Sequence, residues 1–249
     1  MSLAGKNVLV TGSSRGIGAQ IARDVALEGA NVIVNHSGPS SKGKAEAVAQ
    51  QITDGGGKAW VVQADMGSLE AGPIFAKAVK ELLPGGRIDC IVHNAGVTAD
   101  KALWDITPED FEFVMNVNVR GILFVTQALQ PLLNKLGRIV IMSSVAARAA
   151  IEEDSLYGGS KAHIEHYVRS WHKENWAKDL GITVNGLNPG PVDTDMFNAL
   201  DPKVQEQFTS IMPTASTSAI SNLCLFLLSE KAQWTNGSIL NANNGSIPV

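Results

Sequence analysis

Tyr157 and Lys161 stand four residues apart in the run SLYGGSKAHIEH, residues 155–166. On a helix that spacing brings both side chains to one face, with Cβ atoms about 5–6 Å apart. A phenol beside an ammonium can move protons that neither group moves well alone. The free phenol titrates near ~10, and a fixed neighbouring cation favours its ionised form. The spacing therefore predicts that Lys161 depresses the pKa of Tyr157, each unit being worth ~1.36 kcal/mol. Taken alone, Tyr-x-x-x-Lys is also a common pairing on an exposed helix face. Its chemistry depends on what the rest of the chain brings to it.

The elements needed to position that pair follow from the hydrophobic pattern. Residues 7–10 form a short apolar run, the mark of a buried parallel strand. It ends in a glycine turn, Thr11-Gly12-Ser13-Ser14-Arg15-Gly16-Ile17-Gly18, followed by a periodic helical segment over residues 19–28. Strand, glycine turn and helix aim backbone N–H groups and a helix N-terminus at a diphosphate. Gly12, Ser14, Gly16, Ile17 and Gly18 are thus candidate cofactor contacts. Further strands are expected at 30–36, 58–64, 88–93, 138–142, 182–187 and 238–241. Helices are expected at 44–53, 71–83, 111–133, 155–178 and 217–228, with a loop over 38–43 and short helices over 197–212. Strands alternating with helices define an α/β fold with a doubly wound parallel sheet of about seven strands.

Length and composition bound the function. The chain has 249 residues, 45% hydrophobic and 18% charged, which suits one large domain with a substantial core. A net charge of −4 argues against a general nucleic-acid or anionic-membrane binder. Cys90 and Cys224 each lie in an apolar run and read as reduced core residues. With no apolar run near the ~20 residues of a membrane span, the expectation is a soluble cytoplasmic protein. His163 and His166 are three apart with no evident third ligand, so no metal is expected.

The set Thr11-Gly-x-x-x-Gly-x-Gly18, Asn94-Ala95-Gly96, Ser144, Tyr157-x-x-x-Lys161 and Asn188-Pro189-Gly190 resembles the short-chain dehydrogenase/reductase family in order and spacing, over nearly the whole chain. The resemblance implies a single Rossmann domain over residues 1–249, a nicotinamide cofactor and a homodimer or homotetramer. It assigns Tyr157 as general acid and Ser144, thirteen residues before it, as the group that polarises the substrate carbonyl. Lys161 would lower the tyrosine pKa and hold the cofactor ribose, while Asn118 would position a water in the proton relay. Asp65 and Met66 would flank the adenine, and Asn94, Ala95 and Gly96 would line the cofactor site. The backbone following Pro189-Gly190, at Val192, would contact the nicotinamide amide, and Thr194 the phosphates. Two departures stand out. His93 occupies a place where the family commonly has Asn and reads as a packed strand residue. The tail Asn241-Ala242-Asn243-Asn244-Gly245 replaces the usual Asp-Gly-Gly and leaves tail-mediated subunit contacts in doubt.

Cofactor choice is read at the end of the second strand. NAD sites place a carboxylate there for the ribose hydroxyls. This chain has Asn35-His36-Ser37, and the resemblance lets Arg15 meet a 2′-phosphate, so NADP(H) is expected, with Ser40, Ser41 and Lys42 as further candidates. The expected activity is reduction of a small carbonyl compound, or the reverse alcohol oxidation. A β-ketoacyl thioester reductase, a lyase or epimerase using the same Tyr and Lys, and a non-catalytic dinucleotide-binding protein remain alternatives. The pocket mouth is expected from residues 145–156 and a lid over 191–213. The first sets Arg148 against Glu152, Glu153 and Asp154, and the second sets Lys203 against Asp193, Asp195, Asp201 and Glu206. With Ala149, Ala150, Ile151, Met196, Phe197, Leu200, Phe208, Ile211 and Met212 between them, such a mouth favours a neutral or cationic apolar ketone over a phosphorylated or coenzyme-A-linked one.

Overall fold

Residues Asn7–Val10 form strand β1, wholly buried and paired in parallel on both sides, Val8 lying opposite Val32 and Cys90. Side chains alternate across a strand. Val8 and Val10 therefore enter one apolar layer and Leu9 the other. The computed structural model describes residues 2–149 and 151–247. The remaining strands are β2 (Asn31–His36), β3 (Lys58–Gln63), β4 (Ile88–His93), β5 (Leu133–Met142), β6 (Thr183–Pro189) and β7 (Ile239–Ala242). All seven are parallel, in the order β3-β2-β1-β4-β5-β6-β7.

Helices cover both faces. They are α1 (Gly16–Leu27), α2 (Pro39–Asp54), α3 (Ala71–Leu82), α4 (Pro108–Met115), α5 (Gly121–Leu129), α6 (Ser155–Trp171), α7 (Asn175–Leu180), α8 (Asp195–Asn198), α9 (Pro202–Ile211) and α10 (Thr217–Leu228). Helices α1, α2 and α10 close one layer with Ile21, Val25, Val48 and Leu227, and α3, α5 and α6 the other with Phe75, Ile122 and Ile164. The second layer forms a separate apolar cluster around Leu9, Ile33, Ile91 and Ile139. The winding reverses between β1 and β4, and ligands bind at the carboxyl ends of strands beside such a switch. Cys90 and Cys224 are both free and buried, and burial pushes the Cys90 thiol up to about 12.

Several boundaries differ from those read in the sequence. The 38–43 segment is not a loop from end to end, because α2 already begins at Pro39 behind an extended Gly38. Proline at the first helical position forfeits no helical hydrogen bond, so it starts the helix. The expected 111–133 helix is three pieces. Helix α4 starts earlier through a Thr107–Asp110 capping box, a π turn follows at Asn116–Arg120, and α5 ends at Leu129 before Pro131. Strand β5 opens at Leu133, with a register shift against β4 between Ile88 and Cys90. The expected 155–178 helix stops at Trp171, and α7 is separate.

Gly121 shows how tightly the π turn is seated. A Cβ there would run into the Met66 carbonyl oxygen, a backbone atom that cannot swing away. Helix propensity alone favours Gly→Ala by up to about 1 kcal/mol. We expect the opposite for Gly121→Ala, a loss of about 1–3 kcal/mol from overpacking, measured by denaturant unfolding. An unchanged or raised midpoint counts against this packing.

Candidate active site

The glycine turn between β1 and α1 lies against the end of β4. Gly12 adopts φ +62° with its missing Cβ 2.8 Å from Ala95 Cα, so a side chain is excluded on both conformation and space. At Gly18 a Cβ would meet the Asn94 amide and the Gly12 carbonyl. Asn94 holds this contact by donating from Nδ2 to the carbonyls of Thr11 (2.9 Å) and Gly12 (3.1 Å). Thr11 Oγ1 accepts in return from the Asn94 and Ala95 N–H groups, at 3.0 and 3.1 Å. Arg15, at the N-cap of α1, supplies no side-chain acceptor to the first turn. Gly16 and Ile17 of that turn line the cleft, the place where an anion site needs helix N-terminal donors.

Asn35 is a supporting residue that the sequence left without a role. Its Oδ1 accepts from the Gly12 N–H at 2.8 Å, and its Nδ2 donates to the carbonyls of His36, Val62 and Ala64. It ties the glycine turn to β2 and β3. The available signal was a polar residue directly after the apolar run Val32-Ile33-Val34 of a buried strand.

At the outer end of the cleft His36 is buried, and its Nδ1–H donates to the Gly38 carbonyl at 2.9 Å. Ser37, Ser40 and Ser41 line the cleft with Arg15 and Lys44. Lys42 does not: it pairs with Glu46 one turn along α2 at 3.7 Å. The second cation is thus Lys44, which the loop reading of 38–43 could not find. Lys44 and Arg15 both reach Asp195 of α8, at 3.1 and 3.7 Å, and these pairs hold the Asp195 carboxyl below its usual range. Asp65 lines the cleft but caps no helix, since α3 begins only at Ala71. Its Oδ1 accepts from the Gly67 N–H at 2.9 Å in a turn.

The same cleft, about 730 Å³, continues to Ser144, Tyr157 and Lys161. Ser144 follows the end of β5; its Oγ accepts from the Ala146 N–H at 3.2 Å, and its side chain favours the ionised form of the Tyr157 hydroxyl. Lys161 is 3% exposed, its Nζ donating to the Met142 carbonyl at 2.8 Å and lying 5.6 Å from the Tyr157 ring centre. Gly96 leaves room beside it: a Cβ there would lie 3.3 Å from Lys161 Nζ and 3.5 Å from Asn118 Oδ1. Asn118, in the π turn, spans two elements. Its Oδ1 accepts from Val97 N–H (2.9 Å), and Nδ2 donates to the Val97 carbonyl (2.8 Å) and Ser160 Oγ (3.0 Å). Met66, Ala95, Pro189, Gly190, Val192 and Thr194 also line the cleft.

The tyrosine pKa moves the opposite way from the expectation drawn from spacing. Burial pushes Tyr157 up to about 12, the Asp154 and Asp100 charges add to the rise, and the Ser144 hydrogen bond opposes it. Burial also lowers Lys161 to about 8. Desolvation of the phenolate dominates, so in this arrangement Tyr157 keeps its proton. His93 is packed as expected, its Nε2 hydrogen-bonded to Thr126 at 2.8 Å, and burial lowers it to about 3.

The acidic mouth is rearranged. Arg148 turns away to Glu165 (3.2 Å) and Asn241 (3.0 Å), leaving Glu152, Glu153 and Asp154 with Asp100 on the wall of the cleft. Among the lid acids only Asp195 lines it; Asp193 accepts from Asn198 and Asp201 caps α9. Ile151, Met196, Phe197, Leu200 and Phe208 supply apolar wall; Ile211 and Met212 do not line it, and Ala150 lies outside the described residues. Among the described residues no group of three or more His, Cys, Asp or Glu is placed to hold a metal ion. No helix among them is long and apolar enough to cross a membrane.

Comparisons agree with this architecture. A family model described as enoyl-(acyl carrier protein) reductase matches residues 12–246. The short-chain dehydrogenase/reductase FrzI of Cladobotryum sp is 41% identical, covering 100% of this chain and 98% of the relative. The hydroxynaphthalene reductase-like protein Arp2 of Metarhizium acridum is 36% identical over 99% and 96%. Among solved structures, the angucycline C-6 ketoreductase LanV with bound NADP superposes with TM-score 0.90 at 32% identity, covering 97% and 95% of the two chains. A short-chain dehydrogenase from Burkholderia cenocepacia in complex with NADP gives TM-score 0.92 at 34% identity over 99% of each. The chain belongs to the short-chain dehydrogenase/reductase family of oxidoreductases.

Asp154 yields a stability prediction. Burial, with Asp100 adding to it, raises its carboxyl from 3.8 to about 7. A raised acid contributes stability fully present below pH ~4, and that contribution is lost as pH rises to about 7. Asp154→Asn should not show this loss. Its unfolding free energy should gain on wild type by roughly 1–3 kcal/mol between pH 4 and 8 in urea titrations. Parallel pH profiles for the two proteins would rule out a buried, raised Asp154.

Proposed function

We propose that the protein is an NADPH-dependent reductase of a small, largely apolar ketone, also able to run the reverse alcohol oxidation. The observation that carries this reading is the meeting of Ser144, Tyr157 and buried Lys161 in the cleft that also holds the glycine turn. A dinucleotide fits the residues present. Gly12 and Gly18 let the turn close on Ala95 and Asn94, and Gly12, Ser14, Gly16 and Ile17 of that turn line the cleft, with no side-chain cap on α1. Arg15 and Lys44, with Ser40 and Ser41 at the start of α2, suit a 2′-phosphate, and β2 ends without a carboxylate. Solved relatives bound to NADP support the same choice. When bound, the cofactor supplies hydride.

The protein's own part is proton supply and placement. Ser144 donates a hydrogen bond to the substrate oxygen as negative charge develops there. Tyr157, held protonated by burial, then gives that oxygen its proton. Lys161, with a pKa near 8, is mostly cationic at neutral pH and stabilises the tyrosinate left behind. Asn118 fixes the loop after β4 to α6, and reprotonation passes by way of Lys161 and a water that Asn118 helps to position. Asp100, Glu152, Glu153 and Asp154 favour a neutral or cationic ketone over an anionic one. We further read the protein as a cytoplasmic homodimer or homotetramer that binds neither membrane nor nucleic acid. Exposed Phe111 and Phe113 on α4 favour self-association.

Tyr157→Phe tests the mechanism. Loss of NADPH absorbance with a ketone panel, including one ketone in neutral and phosphorylated forms, should fall by ~10²–10⁴ in the variant. NADPH affinity should stay nearly intact, and near-normal turnover would remove Tyr157 as the acid. Cofactor choice has its own test. Lys44→Ala should raise the KM for NADPH several-fold with little effect on NADH, whereas Lys42→Ala should change neither. Equal effects of the two variants would argue against Lys44 as the phosphate-facing cation.

A further inference from the structure

Glu165 lies on α6 one turn beyond Lys161 and is 4% exposed. Its carboxylate gathers donors from three other places in the chain. Oε1 accepts from Ser143 Oγ at 3.0 Å and from Asn188 Nδ2 at 2.9 Å. Oε2 accepts from Arg148 Nε at 3.2 Å and pairs with Arg169, on its own helix, at 3.5 Å. Arg148 continues the chain of contacts to Asn241 of β7 at 3.0 Å.

Each partner adjoins a part of the proposed machinery. Ser143 immediately precedes Ser144, and Arg148 follows it by one short turn, so both flanks of the carbonyl-polarising serine are tied to Glu165. Asn188 immediately precedes Pro189-Gly190 on the cleft wall. Its Oδ1 has no partner among the described residues, which leaves the Glu165 bond to orient its side chain. Stability alone does not call for such a group. Buried ion pairs often contribute no more than well-packed apolar side chains of similar volume. What this carboxylate adds is geometry, since one atom group sets the distance between the end of β5, the end of β6 and the helix bearing Tyr157 and Lys161.

We infer that Glu165 is a positioning residue for hydride transfer, one that fixes Ser144 and the 188–190 segment relative to Tyr157 without touching substrate or cofactor. The inference rests on the ketone-reductase reading for its kinetics. The proposed test therefore includes a readout that needs no turnover.

The experiment uses Glu165→Gln, which keeps shape and one acceptor while removing the charge. Four quantities are measured on folded protein, the kinetic ones at saturating NADPH. In Glu165→Gln, kcat should fall roughly 10–100-fold, the scale of a sub-ångström to ångström misplacement. The dissociation constant for NADPH should stay within about threefold, because the glycine cradle and the cations are untouched. The kinetic isotope effect with NADPH deuterated at the transferred position should grow, and the emission of bound NADPH should move toward that of the free cofactor. A merely structural residue would lower the melting temperature and leave kcat per folded molecule, isotope effect and emission unchanged, which would overturn the proposal. Ser143→Ala combined with Glu165→Gln should lose less than the sum of the single variants, because both disturb the same carboxylate cluster. Additive losses would also overturn it, and this comparison holds if Glu165→Gln alone folds poorly at higher temperature. Should wild type reduce no ketone, the ketone reading fails separately, and unchanged bound-NADPH emission in Glu165→Gln still decides against the positioning role.

Discussion

A lysine ammonium with almost no access to solvent, donating to the last carbonyl of a strand, is the interaction on which the site depends. Lys161 joins α6 to Met142 at the end of β5, and Ser144 is two residues further along the same chain. Helix and strand end are thereby fixed against each other at the point where Tyr157 and Ser144 meet. The same burial that makes the contact strong also penalises the charge, which is why the amine titrates near 8. The neighbouring phenol is governed by the same physics with the opposite sign. Dry surroundings raise the acid, to about 12, and lower the base, to about 8, so the two move apart in proton affinity and the proton stays on Tyr157.

The parallel sheet makes this economical. Seven strands running one way deliver seven carboxyl ends to one edge, and the winding reversal opens a crevice there. Each end then contributes a different part. β1 brings the glycine turn, β2 brings Asn35, β4 brings Asn94 to Gly96, β5 brings Ser144 and β6 brings Pro189-Gly190. The side chains that connect these ends are asparagines and a glutamate, residues able to satisfy several backbone or side-chain partners at once. Asn35, Asn94, Asn118 and Glu165 form a second tier of polar struts under the reacting groups.

Much of this was legible in the sequence, and the reasons are local. The seven strands and the glycine turn show as apolar runs with fixed punctuation. Tyr157, Lys161 and Ser144 show as spacings within a helix or across one strand–loop–helix step. What was not legible depended on contacts between distant segments. Lys44 replaced Lys42 because the helix starts at Pro39, which sets the phase that decides which lysine faces the cleft. Arg148 left the mouth because Glu165 and Asn241, 17 and 93 residues away, draw it inward. The direction of the Tyr157 shift was missed because spacing reports the neighbouring charge but not the loss of water.

Asp195 opens α8 and meets two cations from the opposite wall, Arg15 and Lys44. All three side chains are more than half exposed, so these pairs are screened by salt and hold weakly. Helix α8 is therefore joined to the opposite wall by a light contact whose other half is the cationic end of the cleft. A dianionic group arriving there competes with Asp195 for the same two charges. Releasing α8 and seating an anion there would in that sense be a single exchange of counter-ions, one whose ease is set by ionic strength rather than by packing.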